Sequence, residues 1–287
     1  MENKAYCDLH THSCYSDGTC SPAELIRLAK MAGVSAVALC DHNTVAGLPA
    51  FAAAAENSGV EAVPGVEFST DYLGMDLHVV MLFVKPQHHT PITQRLAQMR
   101  QAKAENNKLL VQALRSAGME LDYESLCAQA PDGYINRAHI AAELTRRGYT
   151  ASIKEAFSSV LAPGGGFYTP PMRPDIFNTI GFIKSLGGRA VLAHPYLNLN
   201  EEQLETLLPK AVAAGLDAME TRYSRYNEST TCKAMETAAR FGLLESGGSD
   251  FHGTNKPDIS IGTGTGDLHI PLQILERLRP AYKNNHH

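Results

Sequence analysis

The hydrophobic positions near the start of the chain alternate between short apolar runs and amphipathic stretches. Apolar residues over 5–9 predict a strand, which a loop separates from a helix beginning after Ser21. The order Ser-Pro-Ala-Glu supplies that helix with an N-cap, a proline in the first turn and a glutamate at the third position. A second strand over Val34–Leu39 and an alanine-rich helix over Leu48–Glu56 follow. This βαβα order favours a parallel sheet covered by helices.

Short apolar segments typical of strands recur further along the chain. They are Glu61–Pro64, Val66–Ser69, Leu77–Val84, Ala190–Ala193, Leu216–Met219 and Leu243–Leu244. So many alternating units predict closure into an α/β barrel, a fold that commonly takes about 250 residues as one domain. The 287 residues of this chain allow one such domain with a small insertion.

The pattern changes in the middle of the chain, where helices are predicted and no strand is evident. The predicted segments are the helices Thr93–Ala117, Arg137–Arg147 and Ile153–Leu161, and the run Pro163-Gly164-Gly165-Gly166. We therefore expect residues 91–166 to form a helical insertion that lies over the barrel mouth, with the glycine run as its return linker. Residues 1–90 and 167–287 are expected to form the two parts of the barrel.

Composition and charge narrow the class of protein. With 44% hydrophobic and 19% charged residues, the chain falls outside the composition of disordered proteins. A net charge of −5 argues against a clamp for long nucleic acid. No apolar run reaches the roughly 18–20 residues of a membrane span, and the first residues lack the apolar core of a signal peptide. Six cysteines without a Cys-x-x-Cys pair predict reduced thiols and a cytoplasmic location.

Side chains that can bind metal ions recur near the ends of the predicted strands. His10 and His12 are two residues apart, so an extended backbone points both the same way. The full set is His10, His12, Asp17, His42, Glu67, His78, His194, Asp250 and His252. In a barrel of parallel strands the carboxyl ends meet at one face, so these side chains are expected to converge. Nine such groups predict two or three divalent ions, with Mn²⁺, Zn²⁺ or Fe²⁺ favoured over Mg²⁺ and Ca²⁺. The terminal pair His286-His287 is set apart, because it is also typical of a tag remnant.

The motifs around these residues span nearly the whole chain. They are Asp8-Leu9-His10-Thr11-His12, Ser16-Asp17-Gly18, Asp41-His42-Asn43-Thr44-Val45-Ala46-Gly47, Gly65-Val66-Glu67, Ala193-His194-Pro195 and Ser249-Asp250-Phe251-His252-Gly253. Together with His78 they resemble the PHP (polymerase and histidinol phosphatase) family. More narrowly, the chain is similar to bacterial stand-alone PHP phosphoesterases that include the 3′,5′-nucleotide bisphosphate phosphatases. The resemblance implies a distorted seven-stranded (β/α) barrel, close to the amidohydrolases, with a helical insertion.

The same resemblance implies how the ligands divide among three ions. One ion would take His10, His12, Glu67 and Asp250, a second would share Glu67 and take His78 and His194, and a third would take Asp17, His42 and His252. All nine positions are filled, so a purely structural domain that has lost its ligands is not expected. One departure is Asn43, where many members have an aspartate, and ligand orientation there is expected to differ.

Such a cluster predicts hydrolysis of a phosphate ester. A water that bridges two ions becomes a hydroxide near neutral pH and attacks phosphorus, while the ions offset the charge on its oxygens. Arg137 in the insertion is the expected phosphate ligand, because a guanidinium group matches phosphate oxygens in pairs. His139 is expected to bind phosphate or protonate the leaving group, and His194 or a metal-bound water is the alternative acid. For Arg137 and His139 the competing interpretation is an ordinary helix surface. Arg222 either contacts phosphate or pairs with a surface carboxylate.

The predicted reaction is release of the 3′-phosphate from a nucleoside 3′,5′-bisphosphate. Within the family, cyclic phosphodiesterase, histidinol-phosphate phosphatase and 5′→3′ exonuclease on short RNA remain open. Hydrolysis of a C–N bond by a related barrel is a more distant alternative. A non-enzymatic metal-binding module would bind metal without turnover, and the full ligand set argues against it. The expected partner is a small phosphorylated molecule or short RNA, and neither a membrane nor long nucleic acid.

Overall fold

The computed structural model describes residues 5–131, 133–162, 166–169 and 173–280. Its strands are β1 (Tyr6–Thr11), β2 (Ala36–Leu39), β3 (Glu61–Tyr72), β4 (Met75–Leu82), β5 (Arg189–Leu192), β6 (Ala218–Tyr223), β7 (Leu244–Gly248) and β8 (Ile270–Pro271). Its helices are α1 (Pro22–Met31), α2 (Leu48–Ala55), α3 (His89–Ser116), α4 (Tyr123–Gln129), α5 (Arg137–Arg146), α6 (Ile153–Ser158), α7 (Ile176–Ser185), α8 (Pro195–Asn198), α9 (Glu201–Ala214), α10 (Glu228–Arg240) and α11 (Leu272–Leu278). Most of the predicted linker, residues 163–165, and the terminal histidine pair lie outside the described residues.

The first βαβα unit follows its sequence signals closely. Ser21 caps α1, accepting the backbone N–H of Glu24, whose side chain accepts the backbone N–H of Ser21 in return. The predicted segments Glu61–Pro64 and Val66–Ser69 are one continuous strand, β3. The backbone stays extended through Pro64, because proline and the glycine after it are compatible with strand dihedrals.

All eight strands form one sheet, in the order β7-β6-β5-β4-β3-β2-β1-β8. The sheet has one strand more than predicted, because the two residues of β8 pair antiparallel with β1. The expectation of a parallel barrel is wrong for β4, which runs antiparallel to both β3 and β5. The reason is the tight turn at Leu73 and Gly74, both at positive φ, which forms a hairpin where a parallel pair would need a long crossover.

The sheet nearly closes where β1 meets the end of β7. The backbone N–H of His12 donates to the carbonyl of Phe251 at 2.9 Å, and that of Asp250 donates to the carbonyl of His10 at 2.8 Å. Gly248 permits this approach, since a Cβ there would lie 2.2 Å from the Cβ of His10. We call this junction the seam. It places the two ends of the ligand set, which are about 240 residues apart in sequence, side by side.

Hydrophobic side chains fill both faces of the sheet. Alternate strand residues such as Phe68 and Met81 share one hydrophobic cluster with the surrounding helices, in which the ring of Phe68 lies against that of Phe182 of α7. The other alternate residues, such as Val80, pack with Leu275 of α11. This alternation is the period-two pattern of a sheet buried on both sides.

The described residues of the predicted insertion contain helices joined by loops, and no strand. It contains most of α3 and all of α4, α5 and α6, of which α4 had no clear sequence signal. These helices share a hydrophobic cluster of their own, in which Leu114, Ile140 and Leu144 are fully buried. No helix in the described ranges has the length and apolar character required to cross a membrane.

Candidate metal centre

The nine predicted ligands converge at one end of the barrel, which we call the mouth. They lie in or just after β1 (His10, His12), in the following loop (Asp17), after β2 (His42), in β3 (Glu67), in β4 (His78), after β5 (His194) and after β7 (Asp250, His252). Glu67 is central and fully buried. Its carboxylate oxygens lie 2.9–3.4 Å from ring nitrogens of five histidines, namely His10, His12, His42, His78 and His194.

Three groups of these side chains each bring their ligand atoms within 4.8 Å of one another. The groups are His10, His12 and Glu67; His42, Glu67 and His78; and His12, Asp17, His42 and His252. The two remaining residues are close by. Asp250 Oδ1 is 3.2 Å from His12 Nε2, and His194 Nε2 is 3.3 Å from Glu67 Oε1. The division among three ions stays a prediction, because His12 and His42 each belong to two groups.

His78 reaches the mouth by a route that the sequence did not indicate. The predicted strand Leu77–Val84 has it near its start, and it lies in the first half of β4. Because β4 runs antiparallel to its neighbours, its amino-terminal half lies beside their carboxyl-terminal halves. Residue 78 is therefore opposite Ser69 of β3, close to Glu67.

Several ligand atoms are buried without a hydrogen-bond partner among the described residues. They include His10 Nε2, both ring nitrogens of His12, His42 Nδ1, Glu67 Oε2 and His194 Nδ1. A buried polar atom left without a partner costs roughly 1–3 kcal/mol. Converging imidazole and carboxylate lone pairs are the donor set that divalent metal ions take. The residues therefore fit a metal centre.

The charges in the cluster are strongly coupled. Burial opposes a charge on His10, but the carboxylates of Glu67 and Glu220 outweigh it and raise the pKa of His10 well above its usual value. Burial acts against ionisation of Glu67 as well, yet the surrounding histidines hold its pKa well below the usual range. For His12, burial and the positive fields of His252 and His42 lower the pKa strongly. His12 is thus neutral at physiological pH, the form in which imidazole binds metal.

A second carboxylate, Glu220 of β6, forms hydrogen bonds with two of these histidines. His10 Nδ1 donates to Glu220 Oε1 at 2.8 Å, which turns Nε2 of that ring toward Glu67. The other oxygen accepts the backbone N–H of His194 at 2.7 Å. A carboxylate behind a histidine sets the ring orientation and raises its basicity as a ligand. Glu220 is not part of the ligand set predicted from the sequence.

Asp250 is oriented by two residues that the sequence did not single out as its partners. Its Oδ2 accepts hydrogen bonds from the Tyr223 hydroxyl at 2.7 Å and from Lys256 Nζ at 2.6 Å. Its Oδ1 is left facing His12. Burial and the adjacent Asp250 raise the pKa of Tyr223, so its hydroxyl keeps the proton that it donates.

The loops that carry the ligands are held by buried acceptors and by unusual backbone conformations. Asp41 accepts hydrogen bonds from the backbone N–H of Ser13 and from the hydroxyls of Ser13 and Ser16, which fixes the loop bearing Asp17. Asn43 has a φ of 53° and exchanges two hydrogen bonds with Ser69. The amide at 43 thus joins the end of β2 to β3.

His194 and Asp250 share this left-handed backbone, with φ values of 31° and 57°. Non-glycine residues adopt such dihedrals only where the surrounding structure imposes them, and such positions cluster at functional sites. Both lie at the mouth, immediately beyond β5 and β7.

A pocket opens above the cluster, between the barrel and the insertion. On the barrel side it is lined by Asp17, His42, Asn43, Ser69, Asp76 and His78. The lining also includes four cationic side chains, which we call the roof: Arg100, Lys103 and Arg137 of the insertion, and Arg173, whose Nε lies 3.2 Å from Asp76 Oδ1. Only Arg137 among them was predicted from the sequence. Burial in this crowded pocket lowers the pKa of Lys103.

Arg137 and its neighbours at the start of α5 connect the insertion to the mouth. The Arg137 guanidinium carbon lies 4.1 Å from the ring centroid of Tyr168, a cation–π contact that holds its position. The side-chain amide of Asn136 donates to the carbonyl of Ser16 at 3.1 Å, in the loop that bears Asp17. His139 Nδ1 accepts the backbone N–H of Asn136 at 3.1 Å as part of the helix cap. His139 is not among the described residues that line the pocket, and its predicted contact with phosphate stays a prediction.

Arg222 does not support the predicted phosphate contact. Its guanidinium pairs with Glu245 of β7 and contacts Met235 of α10, and the pocket lining does not include it. The strand register shifts between Glu220 and Arg222. Such a bulge changes the face to which the following side chains point, so Glu220 contacts the cluster whereas Arg222 does not.

Comparisons with known proteins agree with this geometry. The PHP domain model matches residues 8–161. A 5′-3′ exoribonuclease from Haemophilus influenzae is 35% identical over 247 residues, covering 85% of this chain and 89% of that protein. A 3′,5′-nucleoside bisphosphate phosphatase from Chromobacterium violaceum is 30% identical, covering 89% and 90%. The crystal structure of a proposed metal-dependent phosphoesterase from Bifidobacterium adolescentis superposes with a TM-score of 0.84 at 28% identity, covering 96% and 95%. The chain therefore belongs to the PHP domain family and is a metal-dependent hydrolase of phosphoester bonds.

Proposed function

We propose that this enzyme releases the 3′-phosphate of a nucleoside 3′,5′-bisphosphate, with residues 91–166 acting as a cap that binds the rest of the substrate. The observation that carries the proposal is a pocket whose lining combines members of the nine-residue cluster with the insertion cations Lys103 and Arg137. A phosphate at the cluster would leave these two cations available to a second phosphate of the substrate. A substrate with a second phosphate at a fixed distance uses both sides.

Each side of the pocket has its own part in the proposed reaction. The nine ligands would hold two or three ions, of which Mn²⁺, Zn²⁺ and Fe²⁺ suit a mixture of imidazole and carboxylate. When bound, such ions activate a water for attack on phosphorus and offset charge on the phosphoryl oxygens. Arg137, Arg100 and Lys103 would bind the 5′-phosphate and orient the ester. For protonation of the leaving oxygen, His139 stays the candidate and His194, whose ring adjoins Glu67 at the mouth, the alternative.

The relatives support this reaction class and leave two substrates in competition. The Chromobacterium violaceum protein is named a 3′,5′-nucleoside bisphosphate phosphatase, and the Haemophilus influenzae protein a 5′-3′ exoribonuclease. Exonuclease action on short RNA is therefore the second candidate, because that exoribonuclease is 35% identical over 85% of this chain. Cyclic phosphodiester and histidinol phosphate hydrolysis are tested by the same experiment. A cytoplasmic location stays a prediction.

The deciding experiment compares products from separate substrates. Protein loaded with Mn²⁺ is incubated with adenosine 3′,5′-bisphosphate, a five-membered cyclic phosphate, histidinol phosphate or a 5′-phosphorylated short RNA, then quenched with chelator and chromatographed. We expect chelator-sensitive loss of the 3′-phosphate alone from the bisphosphate. Metal-loaded protein that leaves the bisphosphate intact while turning over another of these substrates would replace the proposed reaction with that one.

A further inference from the structure

Asp76 is a carboxylate of the pocket lining that does not belong to the predicted ligand set. It is the second residue of β4 and lies two positions before His78, so the two side chains project from the same face of the strand. Its Oδ1 lies 3.4 Å from His78 Nε2 and 3.2 Å from Arg173 Nε. One carboxylate oxygen therefore stands between a predicted metal ligand and a cation of the roof.

The hairpin of β3 and β4 brings Arg173 to this oxygen. Asp76 pairs with Asp71 across the hairpin. The backbone N–H of Asp71 donates to the carbonyl of Pro174 at 2.8 Å, so the residue after Arg173 is tied to the same two strands. In addition, Asn198 Nδ2 donates to the carbonyl of Asp76 at 2.9 Å. These contacts fix the backbone from which the Asp76 side chain projects.

The two ring nitrogens of His78 face different carboxylates. Nδ1 lies 2.9 Å from Glu67 Oε1, at the centre of the predicted ligands, whereas Nε2 faces Asp76. A neutral imidazole carries its proton on one nitrogen and a lone pair on the other. With the proton on Nε2, beside Asp76, the lone pair is on Nδ1, beside Glu67. A carboxylate at position 76 thus favours the form of His78 that can bind an ion together with Glu67.

Arg173 has its carboxylate partner within the pocket. Its side chain is 13% exposed, and both its Nε and Asp76 Oδ1 are buried atoms without a hydrogen-bond partner among the described residues. The attraction between the two groups is therefore mainly one of charge. A guanidinium engaged in this way holds the carboxylate beside His78 and has less of its charge to offer a substrate phosphate.

We propose that Asp76 is a positioning residue for the metal centre, and that Arg173 holds Asp76 in place and is not a phosphate ligand. The Asp76 carboxylate orients His78 toward the ion, and Arg173 orients the carboxylate. The inference concerns metal binding, and it rests on the proposed function only in leaving the substrate phosphates to the other cations of the roof.

The test measures how tightly the full-length protein holds its ions. Protein is dialysed against buffers of fixed free Mn²⁺ concentration, and bound metal is measured by atomic absorption. We expect Asp76→Ala to raise the dissociation constant of one Mn²⁺ ion about 10- to 100-fold, the usual effect of removing a group that orients a ligand histidine. Asp76→Asn keeps an oxygen that can accept the Nε2 proton and should recover part of the affinity.

Asp71→Ala is the matched control for Asp76→Ala. Asp71 lies opposite Asp76 in the same hairpin, and its carboxylate accepts the backbone N–H of Gly74 in the turn. It is not among the described residues that line the pocket. The control should therefore bind Mn²⁺ like the wild type.

Arg173→Met tests the second half of the inference. It should weaken the same ion about threefold, the size of one partly exposed ion pair, and add nothing further to the effect of Asp76→Ala. At saturating Mn²⁺, the KM of this variant for adenosine 3′,5′-bisphosphate should stay within about twofold of the wild type.

The outcomes separate the inference from the proposed function. Unchanged Mn²⁺ affinity in Asp76→Ala, or an equal loss in Asp71→Ala, would overturn the positioning role. A KM raised about tenfold or more in Arg173→Met at saturating Mn²⁺ would make Arg173 a phosphate ligand and overturn its assignment to Asp76. Wild-type protein that binds Mn²⁺ without hydrolysing the bisphosphate would overturn the proposed function, whereas the Mn²⁺ affinities would still decide the role of Asp76.

Discussion

The barrel mouth and the insertion build the two sides of one pocket by different means. At the mouth, side chains are fixed by strands, by buried carboxylates such as Glu220 and by left-handed backbone at His194 and Asp250. The insertion has its own hydrophobic cluster and meets the mouth through contacts such as that of Asn136 with Ser16. The mouth presents candidate metal ligands, and the insertion presents the cations Arg100, Lys103 and Arg137. Under the proposed function, the barrel would set the chemistry and the insertion would set which phosphate ester receives it.

The largest effect is expected from the centre of the mouth. Glu67→Gln removes the carboxylate that faces five histidines, so bound metal should be lost and kcat/KM should fall about 10³-fold, since several kcal/mol of transition-state stabilisation depend on the ions. Metal content and turnover are measured on the same sample. Glu61→Gln is the control, because Glu61 lies at the exposed start of the same strand and pairs with Arg279. Full metal content and activity in Glu67→Gln would contradict the assignment of the mouth.

Arg137→Ala tests the other side of the pocket. We expect kcat/KM to fall about 100-fold with metal content unchanged, because charge-assisted hydrogen bonds to phosphate contribute roughly 1.5–3 kcal/mol. Arg137→Lys should recover part of the loss, since it keeps the charge without the fork. Arg115→Ala, at an exposed position near the end of α3, provides the control. Loss of metal from Arg137→Ala would contradict the separate roles proposed for the mouth in metal binding and for the insertion in phosphate binding.

Glu220→Gln tests the proposed role of the mouth in metal binding. The variant keeps the shape of the side chain but weakens the hold on His10 and His194, so metal affinity should fall about 10- to 100-fold. Activity should return at high Mn²⁺ concentration, which a titration of rate against metal would detect. Glu245 lies in the neighbouring strand and pairs with Arg222 away from the pocket. As the control, Glu245→Gln should show the same dependence of rate on metal concentration as the wild type. A Glu220→Gln loss that excess metal does not restore would point to a role in the reaction itself.

The smallest effect concerns the stability of the insertion. Hydrogen bonds from Arg146, acting against partial burial, lower the pKa of Glu143 from 4.5 to about 2. A lowered folded-state pKa means that this stabilisation is present above about pH 4.5 and is lost as the pH falls toward 2. Glu143→Gln should therefore lower the free energy of unfolding by about 1 kcal/mol at pH 7. Amide exchange in α5 measures it, and a difference from the wild type that is as large at pH 2 as at pH 7 would exclude ionisation as the cause.

Local patterns in the sequence were sufficient for much of the barrel. A few neighbouring residues define the capping box at Ser21, and α1 begins there. A few others define the apolar run before His42, which forms β2. Because ligands follow such runs, their positions could be predicted one strand at a time. The family and the phosphoester reaction class were predicted on these motifs and are confirmed.

What the sequence left open depends on contacts between distant segments. The direction of β4 follows from the hairpin at Leu73, which the apolar pattern of Leu77–Val84 does not reveal. The alternation of apolar and polar residues does not reveal the bulge between Glu220 and Arg222 either. In the insertion, Arg100 and Lys103 belong to a long polar helix, and only its packing against the barrel determines which charges face the mouth.

The seam between β1 and β7 has a consequence for how the fold is maintained. Few backbone hydrogen bonds join the two strands there, whereas His10 and His12 on one side face Asp250 on the other across about 3–4 Å. An ion bound by both sides would fasten β1 to β7. Folding and metal binding would then be linked equilibria, and resistance to heat would rise with the concentration of free metal.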